Sequence, residues 1–175
     1  LALQAELAEQ GGDPGAARVA YERLLESALD EPTTVRMLRS LAKLLLDADE
    51  IDAARDRLLT LLSIAPDDAE ALDRLVEVYE RLETWDDLVE LMQRKADAAT
   101  DDEMRAQWYR RIASIYLGEL DDEAGFETWI RKAHDAKRDA AETVSMMIDF
   151  YRSRERRDEL LPLLEWYVSY LEMKK

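Results

Sequence analysis

Tyr79 and Tyr151 stand 72 residues apart, and much of what surrounds them recurs with the same shift. Ala69-Glu70 returns as Ala141-Glu142, and Asp86-Asp87-Leu88 returns as Asp158-Glu159-Leu160. Leu72, Leu75 and Val76 return as Val144, Met147 and Ile148. Inside this doublet runs a shorter period of about 34 residues, the length of one helix–turn–helix unit. Such a unit cannot bury its apolar face alone, so the period demands stacked copies.

The clearest unit covers residues 35–68. Leu38, Leu41, Ala42 and Leu45 fall at i, i+3, i+4, i+7 and predict the buried stripe of a first helix. Asp49-Glu50 marks a turn. Ala54, Leu58, Leu61 and Leu62 predict the buried side of a second helix, and Pro66 closes the unit because proline cannot continue a helix. Residues 69–102 repeat the pattern with Leu72, Leu75-Val76, Tyr79, Leu88 and Met92. Residues 106–139 repeat it with Tyr109, Ile112-Ala113, Tyr116, Gly125, Trp129 and Ala133, after a three-residue insertion. Residues 141–175 carry Val144, Met147-Ile148, Tyr151, Leu160 and Leu164. A partial unit spans residues 1–31: Leu1, Ala5 and Ala8 remain of its first helix, and Ala17, Tyr21 and Leu24-Leu25 mark its second.

These residues resemble the tetratricopeptide repeat, TPR. Its pattern sets an aromatic or Leu, then Leu-Gly/Ala, Tyr, Ala, an aromatic and a closing Pro. Leu38, Leu41-Ala42, Leu45, Ala54, Leu58 and Pro66 match its spacing. The resemblance covers nearly the whole chain. It implies an all-α, right-handed TPR-like solenoid of about four and a half helix–turn–helix repeats, forming a single TPR domain over residues 1–175, similar to long multi-repeat bacterial scaffolds. It departs from the family where Ala42, Val76, Ala113 and Ile148 replace glycine, and where Leu88 and Leu160 replace a small residue. The family's chaperone carboxylate clamp relies on Asn at fixed inner positions, and this chain has no Asn.

Charge and residue inventory narrow the function. Forty acidic residues oppose 24 basic ones, a net charge of −16. That field repels phosphate backbones and argues against nucleic acid as partner. No apolar run is long enough to span a membrane. Cysteine is absent, which removes disulfides and thiolate metal sites. There is one histidine, His134, near a predicted helix end where its cation suits the dipole. No nucleophile–base pair or phosphate-cradling loop is visible, so no enzyme activity, catalytic residue, metal or cofactor is expected. The pairs Asp67-Asp68, Asp101-Asp102 and Asp121-Asp122 lack the alternating ligand pattern of a calcium loop, and they read as helix caps. The chain starts abruptly at Leu1 without Met. It is therefore expected to be a piece of a longer protein, with the cytoplasm as its expected compartment and the periplasm left open.

Two surfaces are candidates for protein or peptide binding. In TPR arrays the first helices line the concave face. That register presents Arg36, Arg39 and Lys43, then Asp73, Arg74, Glu77 and Glu80, then Gln107, Arg110, Arg111 and Ser114, then Glu142, Ser145, Met146 and Asp149. Arg36, Arg39, Lys43, Arg110 and Arg111 would contact an acidic segment, with Arg74 and Glu77 setting register. The competing reading pairs these arginines with nearby carboxylates. The second surface is the last helix, apolar on nearly every face, with Trp166, Tyr170 and Leu171 as candidate interface residues. A further repeat of the parent chain, a homodimer or a docked partner would each cover it. Trp108 lies off the apolar stripe and reads as an anchor for a partner.

Overall fold

The computed structural model describes residues 11–27 and 30–174. Leu1, Ala5 and Ala8 lie outside the described residues. What is described is α-helix joined by short turns: α1 (Pro14–Leu25), α2 (Glu31–Asp47), α3 (Ile51–Ile64), α4 (Ala69–Arg81), α5 (Trp85–Ala98), α6 (Asp102–Gly118), α7 (Glu123–Ala136), α8 (Ala141–Ser153) and α9 (Arg157–Met173). The chain forms two compact units, Leu1–Thr84 and Trp85–Lys175, divided in the turn between α4 and α5.

In the first unit, α2 and α3 pack around Leu38, Leu41, Ala42, Leu45, Ala54, Leu58 and Leu61, all buried. The two alanines sit where the helices approach, and the leucines fill the space around them. Leu62 was expected beside them and is only half-buried. In the second unit, α6 and α7 close around Ile112, Ala113, Trp129 and Ala133. Trp129 stacks near Tyr109 and Tyr116, at centroid distances of 5.6 and 6.4 Å. Gly125 is obligatory in this packing. A Cβ there would lie 2.1 Å from the Tyr116 ring, far inside van der Waals contact.

Two helices begin earlier than the repeat register. α2 starts at Glu31 rather than Val35, and α6 at Asp102 rather than Ala106. Each gains a turn because the preceding residues suit a helix start. Asp30 and Asp101 accept from the N–H of Thr33 (2.9 Å) and Glu103 (3.1 Å), acidic side chains fill the first turns, and α2 adds Pro32. The three-residue insertion ahead of residue 106 is absorbed by the lengthened α6.

The acidic pairs are caps. Asp68 accepts from Ala71 N–H and Asp122 from Gly125 N–H, each at 2.9 Å, and Asp101 caps α6 as above. Four helix-to-helix turns place one residue in the left-handed region: Asp49 (φ 63°), Glu83 (φ 54°), Asp121 (φ 50°) and Glu155 (φ 55°). At three of them the next N–H reaches five residues back: Glu50 to Leu45 O (2.9 Å), Thr84 to Tyr79 O (3.1 Å) and Arg156 to Tyr151 O (3.0 Å). This is the Schellman closure, which satisfies the last carbonyls of a helix.

Two stability effects follow. Burial pushes the Asp68 carboxyl up, but the Ala71 N–H and the Arg39 guanidinium more than offset it and hold it below the usual range. A depressed folded pKa stabilises the fold above pH about 4 and is lost as pH falls through the folded value. Asp68→Ala should therefore cost about 1 kcal/mol at pH 7, a gap that closes as the pH of thermal melts is lowered. Glu83→Gly relieves the strain that a Cβ causes in the left-handed region and should stabilise by about 0.5–1 kcal/mol in urea titrations.

Candidate functional site

First helices of consecutive pairs, α6 and α8, flank the main cleft of the second unit, and α7 forms its floor. The cleft has a volume of about 410 Å³. Leu117, Phe126, Met146 and Phe150 make its walls apolar, and Gly118 leaves one side open. Phe126 and Phe150 lie 4.4 Å apart between ring centroids, which packs α7 onto α8. The space suits one large apolar side chain.

Polar groups at the rim are mostly committed. Ser114 Oγ donates to Arg110 O at 3.1 Å, and Ser153 Oγ donates to Phe150 O at 2.8 Å. Arg154 pairs with Glu123 at 2.7 Å, with its guanidinium 4.9 Å from the Phe150 ring centroid. Among the described residues Asp149 pairs with Arg152 alone, at 3.7 Å and largely in solvent. Such a pair holds little energy, so Asp149 remains the rim's available acceptor.

Ser114, Met146 and Asp149, read from the sequence as partner-facing, line this cleft together. Leu117, Gly118, Phe126, Phe150, Ser153 and Arg154 were not anticipated. A signal for Phe150 existed. Leu44, Val78, Ile115 and Phe150 each precede Leu45, Tyr79, Tyr116 and Tyr151, and all four are buried. An apolar residue at that place in every unit marks a second buried face.

The sequence-derived basic residues have diverse environments. In the first unit, Arg36 and Lys43 are exposed on α2. Arg39 between them is engaged by Asp68 and, at 3.1 Å, by Glu70. Arg74 pairs with Glu70 at 2.9 Å, and Glu77 lies 3.9 Å from Arg81. In the second unit Arg111 is exposed, with its guanidinium 5.7 Å from the Trp108 ring centroid. Arg110 departs from expectation. It is 7% exposed and donates to Thr143 Oγ1 (3.1 Å), Glu103 (3.1 Å) and Glu142 (2.9 Å), which ties α6 to α8. These bonds make Arg110 a structural pin between the two helices.

Trp108 is half-buried at the α5–α6 seam, with Lys95 Nζ 5.0 Å from its ring centroid. Its departure from the apolar stripe reflects packing against the preceding helix. On α9, Trp166 and Tyr170 stack at 5.2 Å, and Tyr170 lines a small cleft with Ala140 and Ala141, so it faces α8. Leu171 is 47% exposed on another side. Among the described residues, no group of three His, Cys, Asp or Glu could hold a metal, and no helix is long and apolar enough to cross a membrane. His134 stands in the last turn of α7.

The fold is similar to that of MamA. One MamA crystal structure is 19% identical over 97% of this chain and 95% of its own, at a TM-score of 0.60. A second is 19% identical over 98% and 90%, also at 0.60. MamA 41-end from Desulfovibrio magneticus RS-1 is 16% identical over 97% and 90%, at 0.53. At such identities the likeness is one of fold. No protein-family model matches the sequence, and no curated protein matches it.

Arg110 offers a direct check of its role. Arg110→Ala strips Thr143 of its donor and should cost about 1–2 kcal/mol. The partner glutamates are exposed, which keeps the loss below that of a fully buried pair. Chemical denaturation should register this cost.

Proposed function

We propose that this chain is a TPR-type protein-interaction scaffold and that its cleft between α6 and α8 receives a side chain from a partner segment. The cleft itself carries this reading. Its walls are apolar, it lies between the first helices of consecutive pairs, and Ser114, Met146 and Asp149 meet there. Binding of this kind needs an anchor residue in a desolvated pocket and a polar rim that sets orientation. The preferred anchor is a large apolar or aromatic residue. A neighbouring Lys or Arg would meet Asp149. Within the first unit taken by itself, the exposed Arg36 and Lys43 on α2 extend the reading to partners that carry an acidic stretch. Arg39, Arg74 and Glu77 would hold the register of that basic surface through their own ion pairs.

Gly118 supplies the test. A Cβ at this position meets nothing within 4 Å, and Gly118 closes α6 as its last residue. The first carbon of a side chain at position 118 therefore enters open space beside the cleft, and Gly118→Leu also exchanges a poor helix former for a good one. Peptides selected on the wild-type protein from a random display library should share a large apolar residue beside a base. They should lose about tenfold or more in affinity for Gly118→Leu, whose melting temperature stays level or rises. Peptides indifferent to that substitution would sink the cleft reading. Retention of their binding after Arg36→Glu and Lys43→Glu would separately remove the acidic-segment extension.

A further inference from the structure

The chain has six methionines and no cysteine, so its thioethers are the sulfurs that an oxidant can reach. Met37, Met92 and Met147 are buried, Met104 and Met173 are exposed, and Met146 is half-buried. Met146 and Met147 are neighbours on α8 with different surroundings, because consecutive residues of a helix do not face the same way. Met147 lies on the buried stripe with Val144 and Ile148. Met146 lines the cleft with Leu117, Phe126 and Phe150. Of the three methionines that solvent reaches, it is the one in the cleft.

Helix packing does not call for sulfur at this place. The 72-residue shift sets Arg74 there in the first unit, paired with Glu70 at 2.9 Å. The same shift sets Leu75 at the place of Met147, and both are buried. The buried place stays apolar, while its neighbour varies between a charged side chain and a thioether.

We infer that Met146 is a modification site that, on the cleft reading proposed above, controls access to the cleft: a peroxide converts it to the sulfoxide, and the oxidised cleft no longer receives an apolar side chain. The thioether sulfur gives an electron pair to one oxygen of hydrogen peroxide. An S–O bond forms, the O–O bond breaks, and the departing oxygen leaves as water, so sulfur is oxidised and the peroxide reduced. The sulfoxide oxygen is polar and accepts hydrogen bonds. Both rim hydroxyls already donate elsewhere, Ser114 Oγ to Arg110 O and Ser153 Oγ to Phe150 O. Arg154 is engaged by Glu123 and Ser153, and the Asp149 carboxylate has no proton to offer. Water therefore solvates the new oxygen, and an apolar anchor that expels this water leaves the acceptor unpaired. A methionine sulfoxide reductase that draws on a thiol reverses the step: the oxygen leaves as water and the thiols become a disulfide.

The probes are the display-selected peptides whose affinity falls in Gly118→Leu. Brief treatment of the whole 175-residue chain with hydrogen peroxide, followed by peptide mass mapping, should show oxygen gained at Met104, Met146 and Met173 before Met37, Met92 and Met147. The peptides should then bind the oxidised chain about tenfold or more weakly. The melting temperature should stay level, and the reductase with a thiol should restore binding. Met146→Leu assigns the effect. Whatever its own affinity, this variant should bind equally before and after peroxide, although Met104 and Met173 still oxidise. Four outcomes overturn the proposal: Met146 oxidised no sooner than the buried methionines, peptide affinity unchanged by its oxidation, an equal loss in Met146→Leu, or a loss that accompanies unfolding. Each of them leaves the cleft reading standing, because the peptides still respond to Gly118→Leu. If selection yields no such peptide, the cleft reading fails and control by Met146 falls with it.

Discussion

The described first helices α2, α4, α6 and α8 each bury two faces. A first helix turns one stripe toward its own second helix, as Leu41, Ala42 and Leu45 do, and a second stripe toward the pair before it, as Met37 and Leu44 do. The second stripe returns in α4 as Ala71 and Val78 and in α8 as Thr143 and Phe150, all 3% exposed or less. Burying one aliphatic side chain is worth about 1.5–3 kcal/mol. A helix of 13 residues such as α8 is too short to persist without such support. The rest of the structure depends on this double coverage, including the places where it stops.

Charge follows the same geometry. Basic residues are the scarcer partners in this acidic chain, and several arginines link helices. Arg18 reaches Glu50, Arg39 reaches Asp68, Arg81 reaches Asp49, Arg110 reaches Glu142, Arg154 reaches Glu123 and Arg156 reaches Glu127. Arg156 illustrates the cost of reassigning one: hydrogen bonds to Glu127 and Glu159 raise its pKa above the ordinary value. Exposed pairs of this kind contribute little each. On α2, Arg39 is committed to Asp68 at the start of α4, while Arg36 and Lys43 lie at the surface.

Periodicity made the helix pairs legible because a 3.6-residue stripe that repeats four times leaves little freedom. The capping role of Asp68, Asp101 and Asp122 was legible for a similar reason, since a short acceptor before an apolar run satisfies N–H groups that nothing else reaches. The function of Arg110 was not. Its position on the helix says that it points away from its own pair, but not that Thr143 and Glu142 of the next pair will receive it. Trp108 lies off the first stripe for a similar reason: it is half-buried where α5 meets α6. Phe150 carried a signal in the recurring apolar residue before Tyr151, Gly118 carried none, and the cleft they line arises from the spacing of pairs rather than from any one of them.

The cleft follows from the same rule. There double coverage is almost complete: α6 and α8 both pack on α7, and the space that remains is set by Gly118 and the Phe126–Phe150 contact. A side chain received in such a remainder would be selected by shape and by one rim carboxylate. Binding of that kind would rest mainly on apolar burial, so it should change little with ionic strength.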